Sequence, residues 1–163
     1  MKEKELAHAF GKSEKVEHIG ILVINDQRKI LLHKSPIWES PYVLSHNPAL
    51  TKPREVAHHF LATLTIEAEL YEAFISPAAR NSTTKHHVDH LIIALTSTHN
   101  SELLKQTTAS VWLSFDFVLR DTHEHPDTYM PWLRDSLDGV ALYLKNLLKQ
   151  SKLLAVQQLA ELS

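Results

Sequence analysis

The amino-acid sequence predicts an α+β fold in which a mixed β-sheet is flanked by helices and a long C-terminal helix ends the chain. Short β-branched segments lie on both sides of a stretch with helical spacing, without regular strand–helix alternation. From Pro131 onward the apolar residues keep helical spacing. The length of 163 residues suits one domain. We therefore expect a single domain over residues 1–163, with a helical extension at 1–14 and C-terminal helices at 130–163.

The first part of the chain predicts a short helix, a hairpin and a further strand. Residues 2–10 have the apolar side of a short amphipathic helix. Residues 16–25 and 30–34 are rich in branched aliphatic side chains and flank a polar turn, which predicts a β-hairpin. A loop bracketed by prolines then holds Trp38, and residues 42–46 predict a short strand.

A helix and three strands are predicted next. Pro53 suits the first turn of a helix, with Thr51 as its cap. The apolar residues that follow recur at helical spacing: Val56, Ala57, Phe60, Leu61 and Leu64. Alternating or continuous apolar runs predict strands at 67–75, 86–97 and 110–115.

The C-terminal part predicts a polar connection and a long helical stretch. Residues 116–131 are expected to form a loop or a short broken helix, and Ser151 is a candidate bend in the stretch that follows. The apolar residues of this C-terminal stretch extend further than one face of the domain can bury. Another surface is therefore expected to cover them. Two arrangements remain open: folding back onto the domain, and a homodimer formed through this helix.

Composition argues against several classes of function. The formal net charge of −2 gives no reason to expect nucleic-acid binding. The absence of cysteine removes thiolate metal sites, disulfides and cysteine nucleophiles, and it fits a reducing compartment. No signal peptide or membrane-spanning run is visible, so we expect a cytoplasmic protein without membrane contact. Only 3 glycines occur, whereas phosphate-cradling loops need several close together.

Several segments resemble the Nudix superfamily, and together they extend from about Val16 to Leu148. The segments VEHIGILVINDQRKILLHKS, WESPYVLSHNP and EVAHHFLATLTIEAEL are similar to the family's first hairpin, the approach to its signature box, and the box helix with its following strand. HHVDHLIIALTS and SVWLSFDFVL are similar to two later strands. The spacing from SHNP to EVAHHFL also resembles that of isopentenyl-diphosphate isomerases, a branch of the same fold. The resemblance implies a Nudix-like fold.

The chemistry of the Nudix box is not retained. The resemblance implies a helix that binds Mg²⁺ through clustered glutamates, the oxygen ligands that Mg²⁺ prefers. In the preferred alignment the box's Arg-Glu pair falls on His59 and Phe60, and its paired glutamates fall on Thr63 and Leu64. An alternative alignment uses residues 54–59, REVAHH, which keeps an Arg-Glu pair but has histidines for both glutamates. Either way the glutamate pair is missing, so no cofactor is predicted and Mg²⁺ is expected only if the protein is active.

We therefore predict a Nudix-fold protein with weak or no pyrophosphohydrolase activity, which binds a nucleotide or diphosphate ligand or a protein partner. Metal ions supply much of the charge neutralisation in diphosphate cleavage, so their loss should cripple hydrolysis. One alternative is a divergent hydrolase of nucleoside-diphosphate-linked or related substrates. Its catalytic carboxylates would be Glu124, at a late position that the resemblance implies, and Glu55.

A second alternative is a histidine-based transition-metal binder, because imidazole suits zinc, copper or nickel better than Mg²⁺. Its candidate ligands are Glu124 with His123 and His125.

Ligand-binding candidates include an aromatic platform near the predicted cleft entrance, an arginine that suits a phosphate, and several clustered histidines. These candidates are Trp38, His46, Arg54, His59, His87 and His90.

Overall fold

The computed structural model describes residues 16–45, 52–73, 88–97 and 110–162, with side chains described as far as Leu147. Within these ranges the chain forms seven strands, three α-helices and one short 3-10 helix. None of the helices in these ranges combines the length and apolar character needed to cross a membrane.

Three predictions fall outside the described residues. These are the N-terminal helical extension at 1–14 and the candidate ligand residues His46 and His87.

The strands and helices follow the predicted order. The strands are β1 (Glu17–Asn25), β2 (Lys29–Lys34), β3 (Trp38–Glu39), β4 (Tyr42–Ser45), β5 (Glu69–Ala73), β6 (His90–Thr96) and β7 (Ser110–Ser114). The helices are α1 (Pro53–Thr63), α2 (Phe115–Glu124), the 3-10 helix (Pro126–Thr128) and α3 (Pro131–Leu162).

Some local details differ from the prediction. Lys52, not Thr51, is the N-cap residue of α1, and its side chain makes no capping hydrogen bond. Trp38, predicted in a loop, lies on the short strand β3. Helix α3 continues without interruption through Ser151, so the predicted C-terminal helices are one helix.

The described strands form one mixed sheet, as predicted. The strand order is β3-β2-β1-β6-β5, with β4 paired to the start of β1 and β7 paired to β2. Strands β1 and β6 are parallel, with Ile21 opposite Ile92, whereas the other described pairs are antiparallel. The carboxyl ends of β1 and β6 therefore meet at the same edge of the sheet.

Helices cover both faces of this sheet. Helix α1 packs on one face through Ala57 and Leu61, which are spaced by one helical turn and lie against the β1 side chains of that face. Helices α2 and α3 pack on the other face, where Phe115, Trp132 and Leu133 are buried. Each large side chain buried in this way contributes about 1.5–3 kcal/mol of transfer free energy.

Residues 116–131, predicted as a loop or a short broken helix, form most of α2 and the 3-10 helix that follows it. Ser114 caps α2, because its hydroxyl oxygen accepts a hydrogen bond from the Phe117 N–H at 3.3 Å. Helix α2 ends at Glu124, and Pro126 begins the 3-10 helix, because proline cannot donate the backbone hydrogen bond that would continue α2. The junction between α2 and α3 thus brings several polar side chains to one exposed corner.

Candidate functional site

Helix α1 and its C-cap residue Leu64 occupy the positions that the Nudix resemblance would assign to a metal site. Phe60 and Leu64 are half-buried and pack against the core, and the Thr63 hydroxyl donates to the Phe60 carbonyl oxygen at 2.5 Å. The Arg54 guanidinium donates to the Leu70 carbonyl oxygen at 3.0 Å. The exposed side chains of this helix are Arg54, Glu55, His58, His59, Ala62 and Thr63. Glu55 is therefore the one carboxylate on the described outward surface of α1.

A second group of polar side chains lies where α2 ends, and we call it the junction cluster: Asp121, Glu124, His125 and Tyr129. His125 Nδ1 lies 2.9 Å from Asp121 Oδ1, one helical turn away. The Tyr129 hydroxyl donates to Asp121 Oδ2 at 2.7 Å. One ligand-capable atom from each of Asp121, Glu124 and His125 lies within 4.8 Å of the others. These three groups are close enough to share one ion.

The electrostatics of the junction cluster favour an ionised carboxylate. Hydrogen bonds from Tyr129 and His125 lower the pKa of Asp121 below its usual range. Burial and the hydrogen bond to Asp121 raise the pKa of the Tyr129 hydroxyl. At neutral pH the carboxylate is thus charged and the phenol is neutral, so the phenol holds one carboxylate oxygen and the other remains near His125.

Trp38 is connected to the junction cluster through the backbone. It forms a parallel β-bridge with Tyr129, and its carbonyl oxygen accepts a hydrogen bond from the Met130 N–H at 3.0 Å. The Lys34 ammonium lies 5.7 Å from the centroid of the Trp38 ring. Trp38 therefore helps to fix Tyr129, while a cation lies over its own ring.

His90 lies at the start of β6, beside the parallel strand β1. Its Nε2 is 2.5 Å from Glu17 Oε2, and both side chains are partly exposed. Next to this pair, the Asp89 carboxylate accepts a hydrogen bond from the His18 N–H at 2.8 Å, and the His18 ring contacts the Tyr42 hydroxyl. His90 thus has a carboxylate partner, Glu17, that sequence reasoning did not identify.

A cleft opens at the carboxyl ends of β1 and β6, against helix α3, and we call it the end cleft. Its volume is about 580 Å³. The side chains that line it come from β1, the following turn, β5, β6 and α3: Ile24, Asn25, Asp26, Arg28, Glu69, Tyr71, Leu95, Thr96, Ser97, Leu144 and Leu147. Sequence reasoning did not predict this cleft. In the sequence, a polar segment follows each of the buried strands β1 and β6. These two segments line one cleft only because the strands are parallel neighbours, which the sequence does not show.

The predicted candidates do not form one site. Glu55 and Glu124 lie on helices that cover opposite faces of the sheet. Glu124 is joined by Asp121 and His125, whereas His123 points to Asp138, with 3.0 Å between Nε2 and Oδ1. Arg54 and His59 remain together on α1, far along the chain from the junction cluster. No sequence pattern pointed to Tyr129, because its partner Asp121 lies across the break between α2 and the 3-10 helix.

Comparisons with models of known protein families and with curated proteins found no match.

Proposed function

We propose that this protein is a Nudix-like ligand-binding protein that does not hydrolyse diphosphates through a Mg²⁺ site on α1. The mixed sheet covered by helices on both faces is compatible with such a fold. A cytoplasmic location belongs to the same proposal, since the sequence has no cysteine and so fits a reducing compartment.

The outward surface of α1 carries this proposal. Mg²⁺ bound for phosphate chemistry needs oxygen ligands, usually carboxylates. On this surface Glu55 is accompanied by Arg54, His58 and His59, and the positions expected for the paired glutamates are used for packing or for a hydrogen bond within the helix. Cationic and imidazole side chains suit an anionic ligand better than a hard cation. A nucleotide or another diphosphate is accordingly the ligand class proposed for this surface.

Turnover is the direct test of the proposal. Nucleoside diphosphate derivatives are incubated with the protein and Mg²⁺, Mn²⁺ or Zn²⁺, and phosphate release is measured. We expect no release above the background without protein. Robust turnover that disappears in Glu55→Gln or Glu124→Gln would overturn the proposal and favour a divergent hydrolase.

Binding is tested separately with ADP in a calorimetric titration without metal. Arg54→Gln should weaken ADP binding several-fold, because it removes a guanidinium that can reach a phosphate. Arg120→Gln is the matched control, since Arg120 is an exposed arginine on α2, which covers the other face of the sheet. Equal affinity of ADP for the wild type and Arg54→Gln would exclude this surface as the phosphate site.

The junction cluster supports a second candidate function, transition-metal binding. Asp121 and His125 are already aligned one turn apart, and Glu124 completes a nitrogen and oxygen ligand set that zinc or nickel accepts. Tyr129 would act as an outer partner that orients Asp121. These three residues would hold the ion.

Calorimetric titration with Zn²⁺ and Ni²⁺ tests this second candidate. We expect a dissociation constant of about 10 µM or lower, equivalent to roughly 7 kcal/mol. His125→Ala should abolish binding, whereas His123→Ala should keep it, because His123 lies only two residues away on α2 but points to Asp138. Weaker binding by the wild type, or equal losses in the two variants, would remove the candidate.

A homodimer through α3 also remains a proposal. Leu142 lies on this helix and is 61% exposed, which gives an apolar side chain for a second copy to cover. Analytical ultracentrifugation that detects only the monomer mass at micromolar concentration would exclude the dimer.

A further inference from the structure

We infer that the end cleft is a binding site for an organic cation, in the form of a primary amine carried by an apolar body. The cleft lies on the sheet face covered by α3, whereas the surface proposed for diphosphates lies on α1, over the opposite face. The inference therefore goes beyond the proposed function and is independent of it.

Size and position first support a small-molecule site. A volume of about 580 Å³ falls within the range of roughly 300–1,000 Å³ that is typical of ligand pockets. The cleft also lies outside the carboxyl ends of two parallel strands, β1 and β6, where ligands of open sheets commonly bind.

The apolar lining accounts for the body of the ligand. Four aliphatic side chains, contributed by β1, β6 and α3, form one side of the cleft: Ile24, Leu95, Leu144 and Leu147. A hydrocarbon chain or an aromatic ring placed against them would remove apolar surface from water, at about 25 cal/mol for each Å² of area. This lining selects against a ligand that is polar throughout.

The acidic lining accounts for the charge of the ligand. Asp26 and Glu69 approach the cleft from the turn after β1 and from the start of β5. The Tyr71 hydroxyl donates to Glu69 Oε2 at 2.8 Å, and this hydrogen bond raises the pKa of Tyr71. The phenol therefore stays protonated and fixes one oxygen of the carboxylate. An ammonium group can then meet the rest of a carboxylate whose position is held.

Among the residues that the structure describes, two arginines near the cleft have other partners. Arg28 Nε lies 3.2 Å from both carboxylate oxygens of Asp116, and its guanidinium carbon is 5.3 Å from the centroid of the Phe115 ring. Arg54 reaches β5 from the other face of the sheet and donates to the backbone carbonyl of Leu70. A diphosphate in this cleft would meet two carboxylates and one arginine that is already paired, so like-charge repulsion selects against it.

A matched pair of probes tests the inference on the full chain. 4-Phenylbutylamine and 4-phenylbutyrate share an apolar body and differ in the sign of their charge. Each is titrated into isotope-labelled protein and followed by heteronuclear NMR. We expect saturable amide shifts at Asn25, Tyr71 and Thr96 with the amine, and at least about tenfold weaker binding of the carboxylate, a difference of one decade in Kd.

Two variants on one strand locate the charge. Glu69→Gln should weaken amine binding about threefold, the size expected for an exposed ion pair. Glu72→Gln is the control, because it makes the same change on β5. Side chains alternate between the two faces of a strand, and Glu72 is an odd number of residues from Glu69. Glu72 therefore lies on the opposite face of β5.

Each result decides for or against the amine site. Selective amine binding that is weakened by Glu69→Gln and kept by Glu72→Gln supports it. If 4-phenylbutylamine shows no saturable binding at concentrations up to about 10 mM, any complex is too weak for a specific site. That result would overturn the inference. Equal binding of the two probes, or equal effects of the two variants, would also overturn it. Diphosphate turnover would contradict the proposed function and leave this result unchanged.

Discussion

The outward surface of α1 and the junction cluster use the same types of side chain and arrange them differently. On α1, His58 and His59 are adjacent, so they point about 100° apart around the helix. At the end of α2, Asp121 and the C-cap residue His125 are four residues apart, and Asp121 Oδ1 lies 2.9 Å from His125 Nδ1. A cluster of histidines in a sequence therefore indicates little until the spacing along the helix is considered.

The helices on the two faces of the sheet also differ in the side chains through which they contact it. Helix α1 contacts the sheet through the small Ala57 and through Leu61, whereas α3 contacts it through the fully buried Trp132. We expect the α3 side to contribute more to stability, because a large aromatic side chain removes more apolar surface from water. The four predictions that follow test this contrast and the contrast in surface chemistry.

Trp132→Ala should give the largest effect, a loss of about 3–5 kcal/mol in the free energy of unfolding, the usual cost of truncating a buried tryptophan. Lys145→Ala on the same helix is the control, and it should change stability by less than about 0.5 kcal/mol because Lys145 is exposed. Urea denaturation followed by far-UV circular dichroism measures both. Trp132→Ala removes a buried ring and should leave a cavity in the core. A loss below about 1 kcal/mol would mean that the surrounding side chains fill this cavity, and it would contradict the close packing expected on the α3 side.

Gly20→Ala should cost about 1–3 kcal/mol, the range for overpacking a core. A Cβ atom at this position on β1 would lie 2.8 Å from two ring carbons of Trp132 and 3.0 Å from a methyl carbon of Val88. The two ring carbons belong to the six-membered part of the indole. A phenylalanine at position 132 is shorter and would not place ring atoms at this contact. The Gly20→Ala cost should therefore fall by about 1 kcal/mol in a Trp132→Phe background. Strict additivity of the two substitutions would contradict this explanation.

The sequence predicted the framework of the fold because local patterns determine it. The hairpin of β1 and β2, the helix that begins at Pro53 and the helix from Pro131 follow from spacing and turn residues. The contact between Gly20 and Trp132 does not follow from any local pattern, since it joins residues more than one hundred positions apart. It depends on how α3 crosses the sheet.

The sites were less predictable than the framework, because they depend on contacts between residues that are distant in the sequence. Glu124 and His125 were identified as neighbours in sequence, and they are neighbours in the junction cluster. Tyr129 joins them only because α2 ends at Glu124 and the chain turns back. The end cleft required the parallel pairing of β1 with β6, two strands with 64 residues between them.

Tyr129→Phe should lower stability at neutral pH by about 1 kcal/mol, the usual net value of one hydrogen bond. The sign follows from Asp121, whose pKa is lowered in the folded protein. Its contribution is fully present above the unfolded carboxyl pKa of about 3.9 and is lost as pH falls through the lower folded value. The difference between wild type and variant should therefore shrink below about pH 4.

Denaturation curves recorded between pH 7 and pH 3 measure this dependence. Tyr143→Phe is the control, because Tyr143 lies on α3 and makes an edge contact with Tyr71 instead of a contact with Asp121. Its effect should not follow the titration of Asp121. A Tyr129→Phe effect that stays constant over this range would show that the hydroxyl stabilises the fold without acting through the carboxylate.

The smallest effects should have opposite signs in the two regions. Glu55 lies in the first turn of α1 and Glu124 in the last turn of α2. A carboxylate is favourable near the positive end of a helix dipole and unfavourable near the negative end, by about 0.3–1 kcal/mol. Glu55→Gln should therefore destabilise the protein slightly, and Glu124→Gln should stabilise it slightly, in thermal unfolding without metal. Excess Zn²⁺ should reverse the sign for Glu124→Gln alone if the junction cluster binds the ion, because the variant then loses a ligand. An unchanged sign with Zn²⁺ would mean that Glu124 is only a solvated carboxylate at an unfavourable helix end.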